Sequence, residues 1–187
     1  MNIGILGGTF DPPHLAHKEI AKRAINQFNL DKVVFIPSGT PWQKSVSTSY
    51  KERFEMTKML IKNEKLLEIS DIENNTDKPS YTVDTLKRFC LDEHRYYFIL
   101  GSDAAIGIKT WKSYKELSNY VTFLIAPREK VSITKVFFNF PFKFKIIKGT
   151  KLDISSTNIR NLIKGKQNYE KLLPSEILNY IKKEKLY

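Results

Sequence analysis

The feature of this sequence that most constrains its fold is an alternation of short apolar runs with segments of helical periodicity. The first run, residues 2–6, stops at Gly7-Gly8, and apolar residues recur at the spacing of a helix after His14. A strand, a glycine loop and a helix in that order form the opening of a parallel βαβ unit.

The same alternation continues along the chain. Further strands are predicted at 32–36, 66–70, 96–100 and 121–125, and helices at 50–63, 82–91, 156–164 and 175–183. Because the strands are nearly continuous apolar runs, they indicate an α/β fold with a mainly parallel, doubly wound sheet and helices on both faces. Ligands of such sheets bind at the carboxyl ends of the strands. No linker or internal repeat divides the chain, so we expect residues 1–187 to form a single domain.

The phenylalanine-rich segment 136–147 allows two interpretations. Phe142, Phe144 and Ile146 alternate with lysines, which predicts an edge strand interrupted at Pro141. The alternative is an aromatic platform for nucleic acid.

Charge and composition limit the class of partner. The chain carries 31 Lys and Arg against 20 Asp and Glu, a net charge of +11, which favours an anionic partner such as nucleic acid, phospholipid or a phosphorylated metabolite. The lysines are spread along the chain, so a solubilising surface explains them equally well. No apolar run approaches the ~18 residues of a membrane span, and no cleavage site follows the apolar start, so we expect a soluble, cytoplasmic protein. The single cysteine, Cys90, is interpreted as a packing residue at a helix end.

Residues 7–17 (GGTFDPPHLAH) join the first strand to a helix and form a candidate anion site, since backbone N–H groups point at whatever binds there. The segment lacks both the dinucleotide-binding spacing GxGxxG and the GK[ST] of a P-loop. His14 and His17 are three residues apart and therefore share a face. A metal site would need further ligands, and a helix cap beside a surface histidine remains the plainer alternative.

Residues 154–160 (ISSTNIR) form a second candidate anion site. Hydroxyl groups precede a predicted helix, and Arg160 lies one turn beyond Ser156 and Thr157. Hydroxyls, helix N–H groups and a guanidinium converging at one helix start can hold a chain of phosphates. An ordinary serine cap with a surface arginine is the alternative.

Together the two segments resemble the nucleotidyltransferase superfamily, whose marks are a GGTFDPxHxxH segment at the first strand and an ISSTxIR segment near the end. Between them, residues 79–86 (PSYTVDTL), 98–103 (FILGSD) and 110–112 (TWK) resemble the bacterial nicotinate-mononucleotide adenylyltransferases, as do 172–174 (LLP) and the final Leu-Tyr. The resemblance covers essentially the entire chain. It implies a Rossmann-like fold and the transfer of an adenylyl group from ATP to nicotinate mononucleotide, giving deamido-NAD and pyrophosphate.

The resemblance also implies roles for individual residues. The expected catalytic residues are His14, His17, Lys44 and Arg160. The expected ATP contacts are Gly7, Gly8, Thr9, Phe10, Gly101, Asp103, Ile154, Ser155, Ser156 and Thr157. The expected nicotinate mononucleotide contacts are Thr9, Lys44, Tyr81, Thr82, Trp111 and Lys112. Mg²⁺ is expected on the ATP phosphates, with no metal site made by the protein.

Two departures from the family pattern concern closure over the substrates: residues 41–44 read Pro-Trp-Gln-Lys where the family has Pro-Pro-His-Lys, and Lys112 stands where it often has Tyr. Alternative functions are an adenylyltransferase for nicotinamide mononucleotide or another phosphorylated small molecule and, from a different class, a basic nucleic-acid-binding protein. We expect small-molecule substrates rather than nucleic acid or a membrane, and the sequence leaves a homo-oligomer possible.

Overall fold

The protein is described by a computed structural model that covers residues 1–43, 45–74, 77–128, 131–150 and 154–187. Its strands are β1 (Asn2–Gly8), β2 (Lys32–Pro37), β3 (Leu67–Ile69), β4 (Arg95–Gly101), β5 (Thr122–Ala126) and β6 (Phe144–Ile146). Its α-helices are α1 (Leu15–Phe28), α2 (Tyr50–Ile61), α3 (Thr82–Phe89), α4 (Ser102–Ile106), α5 (Ile133–Asn139), α6 (Ser156–Lys164) and α7 (Ser175–Glu184). Short 3₁₀ helices span Ile108–Thr110, Tyr114–Asn119 and Glu170–Leu172.

Within this described part of the chain the strands form one sheet in the order β3-β2-β1-β4-β5-β6, and every neighbouring pair is parallel. The chain moves outward in one direction from β1 to β3 and in the other from β4 to β6. The order therefore reverses between β1 and β4, and a crevice opens at their carboxyl ends.

Successive strand residues point to opposite faces of the sheet and supply two core layers. Leu6 belongs to the layer packed under α1, α2, α6 and α7, whereas its neighbour Ile5 belongs to the layer under α3, α4 and α5. Both residues are buried. The sequence-based prediction of a doubly wound sheet with helices on both faces is confirmed, and the sheet is wholly rather than mainly parallel over the described strands.

The phenylalanine-rich segment is partly different from its prediction. β6 does lie at the sheet edge, but it begins only at Phe144, and residues 133–139 form α5 instead of a strand. Ser132 caps this helix by accepting a hydrogen bond from the Thr134 N–H at 3.2 Å. Val136 and Phe140 then lie one turn apart and are both buried against the sheet. Helical spacing was therefore the controlling pattern in the first half of the segment.

Cys90 lies at the carboxyl end of α3, where it is half-buried and packs against the core. Burial raises the pKa of its thiol to about 12, so the group stays protonated and inert at neutral pH. Among the described helices, none combines the length and the apolar character needed to cross a bilayer.

Candidate active site

The loop between β1 and α1 lies at this crevice, and contacts with neighbouring elements hold it in place. The Ser38 N–H donates to the Gly8 carbonyl at 2.9 Å, which ties the end of β1 to the end of β2. Phe10 adopts a left-handed backbone conformation with φ of 54°, and its ring lies 5.6 Å from the ring of Phe35 and 5.0 Å from that of His17. Since only 2% of Phe10 is exposed, its side chain is part of the core and only its backbone can face a nucleotide.

The two histidines of the loop form a stacked pair. Their ring centroids are 3.7 Å apart, and the backbone N–H of His14 donates to Nδ1 of His17 at 3.2 Å. Because Nδ1 of His17 accepts this bond, the proton of its neutral ring resides on Nε2, which makes that atom a hydrogen-bond donor.

His14 precedes the first residue of α1 and is only 1% exposed. Burial, and secondarily the positive charge of Arg128, lower the pKa of His14 from 6.5 to about 3. The ring is therefore neutral at pH 7 in this structure. His14 can offer hydrogen bonds to a phosphate, whereas the positive charge of the site comes from arginines and helix termini.

The start of α6 docks directly on the loop after β1. The Ser156 hydroxyl donates to the Pro12 carbonyl at 2.8 Å, and Nη1 of Arg160 donates to the Asp11 carbonyl at 2.7 Å. Nη2 of Arg160 lies 3.4 Å from the Thr157 hydroxyl, so these side chains share one helix face. The hydroxyl of Ser155 caps α6. The structure thus brings together the two segments that the sequence singled out as anion sites.

A third element completes this side of the crevice. Gly101 ends β4 and precedes α4, and a Cβ at Gly101 would collide with the side chain of Asp103 and lie 3.2 Å from Nε of Arg128. Arg128 follows β5 and donates from Nη1 to the Ile154 carbonyl at 2.8 Å. Gly101 and Asp103 are therefore adjacent to the segment that begins α6.

Four of the residues expected to hold nicotinate mononucleotide form a second group, namely Tyr81, Thr82, Trp111 and Lys112, whereas Thr9 lies in the loop after β1. Tyr81 precedes α3 and Thr82 is its first residue, so Thr82 lies at a helix N-terminus as predicted. The ring of Trp42 is 5.6 Å from that of Tyr81, and Nζ of Lys112 is 4.4 Å from the centroid of the Tyr81 ring. Trp111 packs edge-on against Phe98 of β4 at 6.2 Å.

Hydrogen bonds join the loop after β2 to the segments that carry this second group. The Thr40 N–H donates to the Ser80 hydroxyl at 3.1 Å, and the amide of Gln43 donates to the Thr110 hydroxyl at 2.7 Å. Loops from the carboxyl ends of β2 and β4, and the segment before α3, thus surround one region of the crevice. Lys44, expected as a catalytic residue and as a contact of nicotinate mononucleotide, lies outside the described residues.

This geometry can be compared with known proteins. The cytidylyltransferase-like family model matches residues 5–162, which is most of the chain. A protein of Clostridium novyi (strain NT), described as a "probable nicotinate-nucleotide adenylyltransferase", is 37% identical over 98% of this chain and 98% of its own length. The chain belongs to the nicotinate-nucleotide adenylyltransferase family.

Solved structures of this family have the same fold. Plasmodium falciparum nicotinic acid mononucleotide adenylyltransferase complexed with NaAD matches with a TM-score of 0.84 and 26% identity, over 98% of this chain and 95% of that one. The same enzyme complexed with APC matches with a TM-score of 0.81 and 25% identity, over 98% and 96% of the two chains.

Two arginines that shape the candidate site were not predicted from the sequence. Arg53 is 1% exposed and lies beneath the loop after β1, where its guanidinium donates to the Thr9 carbonyl at 2.8 Å and the Gly39 carbonyl at 3.0 Å. The sequence signal for this residue was its helical spacing: Arg53 lies one turn before Met56, on the apolar face of the predicted helix. For Arg128 the signal was its position directly after a strand at the ligand-binding edge of the sheet.

A protein-held Mg²⁺ ion would need oxygen ligands from several side chains. Among the described residues, no group of three His, Cys, Asp or Glu side chains is arranged to hold a metal ion. The carboxylate in the loop after β1, Asp11, already accepts hydrogen bonds from Ser47, Thr48 and Tyr187. The described side chains therefore do not fit a protein-held Mg²⁺ site.

Proposed function

We propose that this protein transfers the adenylyl group of ATP to nicotinate mononucleotide, forming deamido-NAD and pyrophosphate in NAD biosynthesis. The observation that carries the proposal is the docking of α6 on the loop after β1, through Ser156 and Arg160, in a chain 37% identical to a nicotinate-nucleotide adenylyltransferase. Two helix N-termini and a guanidinium converge there, which suits a polyphosphate.

The chemistry needs alignment more than it needs a base. The phosphate of the mononucleotide is ionised at pH 7 and attacks the α-phosphorus of ATP in line, so the P–O bond to the acceptor forms as the bond to pyrophosphate breaks. The barrier comes mainly from the repulsion between two anions and from the translational and rotational entropy that they lose when they are aligned. This explains a site built from donors without a serine or cysteine nucleophile.

We assign the donors as follows. His14 and His17 hydrogen-bond the phosphates at the start of α1, and Arg160 with the N-terminus of α6 stabilises the charge that develops on the departing pyrophosphate. Gly101 and Asp103 lie where the adenosine would bind at the end of β4. A donor aimed at developing charge in such a site is worth roughly 3–4 kcal/mol of transition-state stabilisation.

The nicotinate end of the acceptor is assigned to the second group of residues. The pyridinium ring stacks on Trp111, since an electron-poor ring is attracted to an indole face. Its carboxylate binds at the N-terminus of α3, beside Thr82, where the helix dipole favours an anion. Lys112 adds positive charge nearby, although its ion pair with Asp84, 3.0 Å long, offsets part of it.

Mg²⁺ enters with the ATP phosphates in this proposal, because the described carboxylates offer it no site and the ion normally retains several waters. We place the enzyme in the cytoplasm, where ATP is abundant, and we assign it no nucleic-acid partner.

An acceptor panel tests the substrate assignment. The purified protein is incubated with ATP, Mg²⁺ and, in parallel, nicotinate mononucleotide, nicotinamide mononucleotide or phosphopantetheine, and the products are identified by mass. We expect deamido-NAD to form fastest. A preference for the amide substrate would contradict the assignment of a carboxylate site at α3, and product formation with neither pyridine would overturn the function.

A matched pair of charge-removing variants tests the phosphate site. Arg160→Ala should lower kcat/KM for ATP by roughly a hundredfold or more, since it removes a donor aimed at the phosphates. Lys164→Ala removes the same charge from the exposed carboxyl end of the same helix and should change kcat/KM little. Equal effects of the two variants would mean that only overall charge matters.

A further inference from the structure

Tyr187, at the far end of the sequence, reaches the loop after β1. Helix α7 ends at Glu184, and Lys185 takes a left-handed conformation with φ of 53° that turns the chain back. The Leu186 N–H then closes the turn by donating to the Ile181 carbonyl at 3.0 Å. The Tyr187 ring packs against the core, and its hydroxyl donates to Oδ1 of Asp11 at 2.8 Å.

Asp11 is a buried hub that joins four parts of the chain. Its carboxylate also accepts the Thr48 hydroxyl on Oδ1 and the Ser47 N–H on Oδ2, both at 2.7 Å. Its backbone carbonyl accepts Nη1 of Arg160. Only 2% of the Asp11 side chain is exposed, so water has little access to its carboxylate. The three donors supply the hydrogen bonds that water would otherwise make.

Two acceptors on Asp11, its backbone carbonyl and its side-chain carboxylate, lie near the guanidinium of Arg160. Nη1 now lies 2.7 Å from the Asp11 carbonyl oxygen but 4.0 Å from its carboxylate Oδ2. A guanidinium prefers a carboxylate to a carbonyl when the carboxylate lacks donors, because charge-assisted pairs are the stronger ones. The neutral donors on Asp11 therefore reduce its attraction for Arg160.

We propose that Tyr187 is a positioning residue for adenylyl transfer: its hydrogen bond to Asp11 keeps Arg160 from collapsing onto the Asp11 carboxylate and so leaves the guanidinium available to the ATP phosphates. The inference rests on the proposed function for the contact between Arg160 and ATP as well as for the identity of the acceptor. Burial, the negative charge of Asp11 and their hydrogen bond all raise the pKa of Tyr187, so its hydroxyl remains a donor across the working pH range.

Tyr187→Phe isolates the hydroxyl, because it keeps the ring and its packing. We expect kcat with ATP and nicotinate mononucleotide to fall roughly tenfold, in line with the loss of one hydrogen bond to a charged group, with an unchanged KM for the mononucleotide. Affinity for a non-hydrolysable ATP analogue, measured by calorimetry without any acceptor, should fall as well. Tyr180→Phe, on α7, is the matched control and should alter neither quantity.

Two further measurements separate positioning from a structural role. In an Arg160→Ala background, Tyr187→Phe should cost little additional kcat or nucleotide affinity, because the group it positions is gone. A crystal structure of Tyr187→Phe should show the guanidinium of Arg160 paired with the Asp11 carboxylate at about 2.8 Å.

A Tyr187→Phe protein with unchanged kcat and nucleotide affinity would overturn the proposal. So would a loss that persists in full in the Arg160→Ala background. If the parent protein fails to adenylylate nicotinate mononucleotide but the nucleotide affinities still show this coupling, the positioning role stands and only the acceptor assignment falls.

Discussion

Protonation of His14 should destabilise the fold as the pH drops below 6.5. The pKa of this histidine is 6.5 in an unfolded chain and about 3 in the folded protein. Between these values the unfolded chain binds a proton that the native protein does not, so lowering the pH favours unfolding. The stabilising effect of a neutral His14 is complete above pH 6.5, declines as the pH falls and reaches its minimum near pH 3.

The magnitude follows from the shift itself. A pH of 5 lies 1.5 units below the pKa of the histidine in the unfolded chain. At 1.36 kcal/mol per unit, this corresponds to a loss of about 2 kcal/mol in the free energy of unfolding. His14 is 1% exposed, so solvent does not screen this effect appreciably. The burial of the ring at the start of α1 is the main cause.

Urea unfolding without nucleotide, at intervals from pH 8 to pH 5, measures this loss. His14→Asn retains a good helix cap but cannot titrate, so its stability should fall by about 2 kcal/mol less than that of the parent protein over this range. His94→Gln, which removes a histidine near Tyr96 at the opposite end of β4, is the matched control. Parallel profiles of the parent and His14→Asn would refute the reasoning.

Three further substitutions, one of them with a glycine control, test the scaffold and the acceptor site. Arg53→Met should lower the unfolding free energy by about 2–4 kcal/mol, because two buried carbonyls lose their donor, and an unchanged urea midpoint would contradict this. Gly4→Ala should lower the unfolding free energy by about 1–3 kcal/mol, because its Cβ would lie 2.7 Å from Val33 Cγ2. The control Gly107→Ala, whose Cβ would lie 3.6 Å from its nearest neighbour, should leave the unfolding free energy nearly unchanged. Equal urea midpoints of the two variants would exclude the clash. Trp111→Ala should raise KM for nicotinate mononucleotide about tenfold and leave KM for ATP almost unchanged, and steady-state kinetics showing the reverse would remove the tryptophan from the acceptor site.

The sheet followed from the sequence because it depends on local patterns, whereas the convergence of the two anion segments was implied only by the resemblance to the nucleotidyltransferase superfamily. An apolar run that ends in glycine marks a buried strand, and parallel topology brings the ends of such strands to one edge. Thr157 and Arg160 lie one turn apart at one short helix start, so their shared face required only helical spacing. The bounds of α6 were therefore predicted correctly from residue type alone.

The rest of the site depends on contacts between distant segments, which residue patterns do not specify. Nothing near Tyr187 indicates that its hydroxyl meets Asp11, and nothing near Arg53 identifies the carbonyls it supports. The lowered pKa of His14 likewise depends on burial and on Arg128, which follows β5. The strand prediction for residues 136–147 rested on the alternation at 142–146 and did not use the helical spacing of Val136 and Phe140.

The central claim is that the loop after β1 and the start of α6 form a single site for the polyphosphate of ATP. A crystal structure with a non-hydrolysable ATP analogue tests it most directly. We predict phosphate oxygens within hydrogen-bonding distance of both Arg160 and the backbone N–H groups of residues 8–10. A triphosphate bound away from either segment would contradict the account.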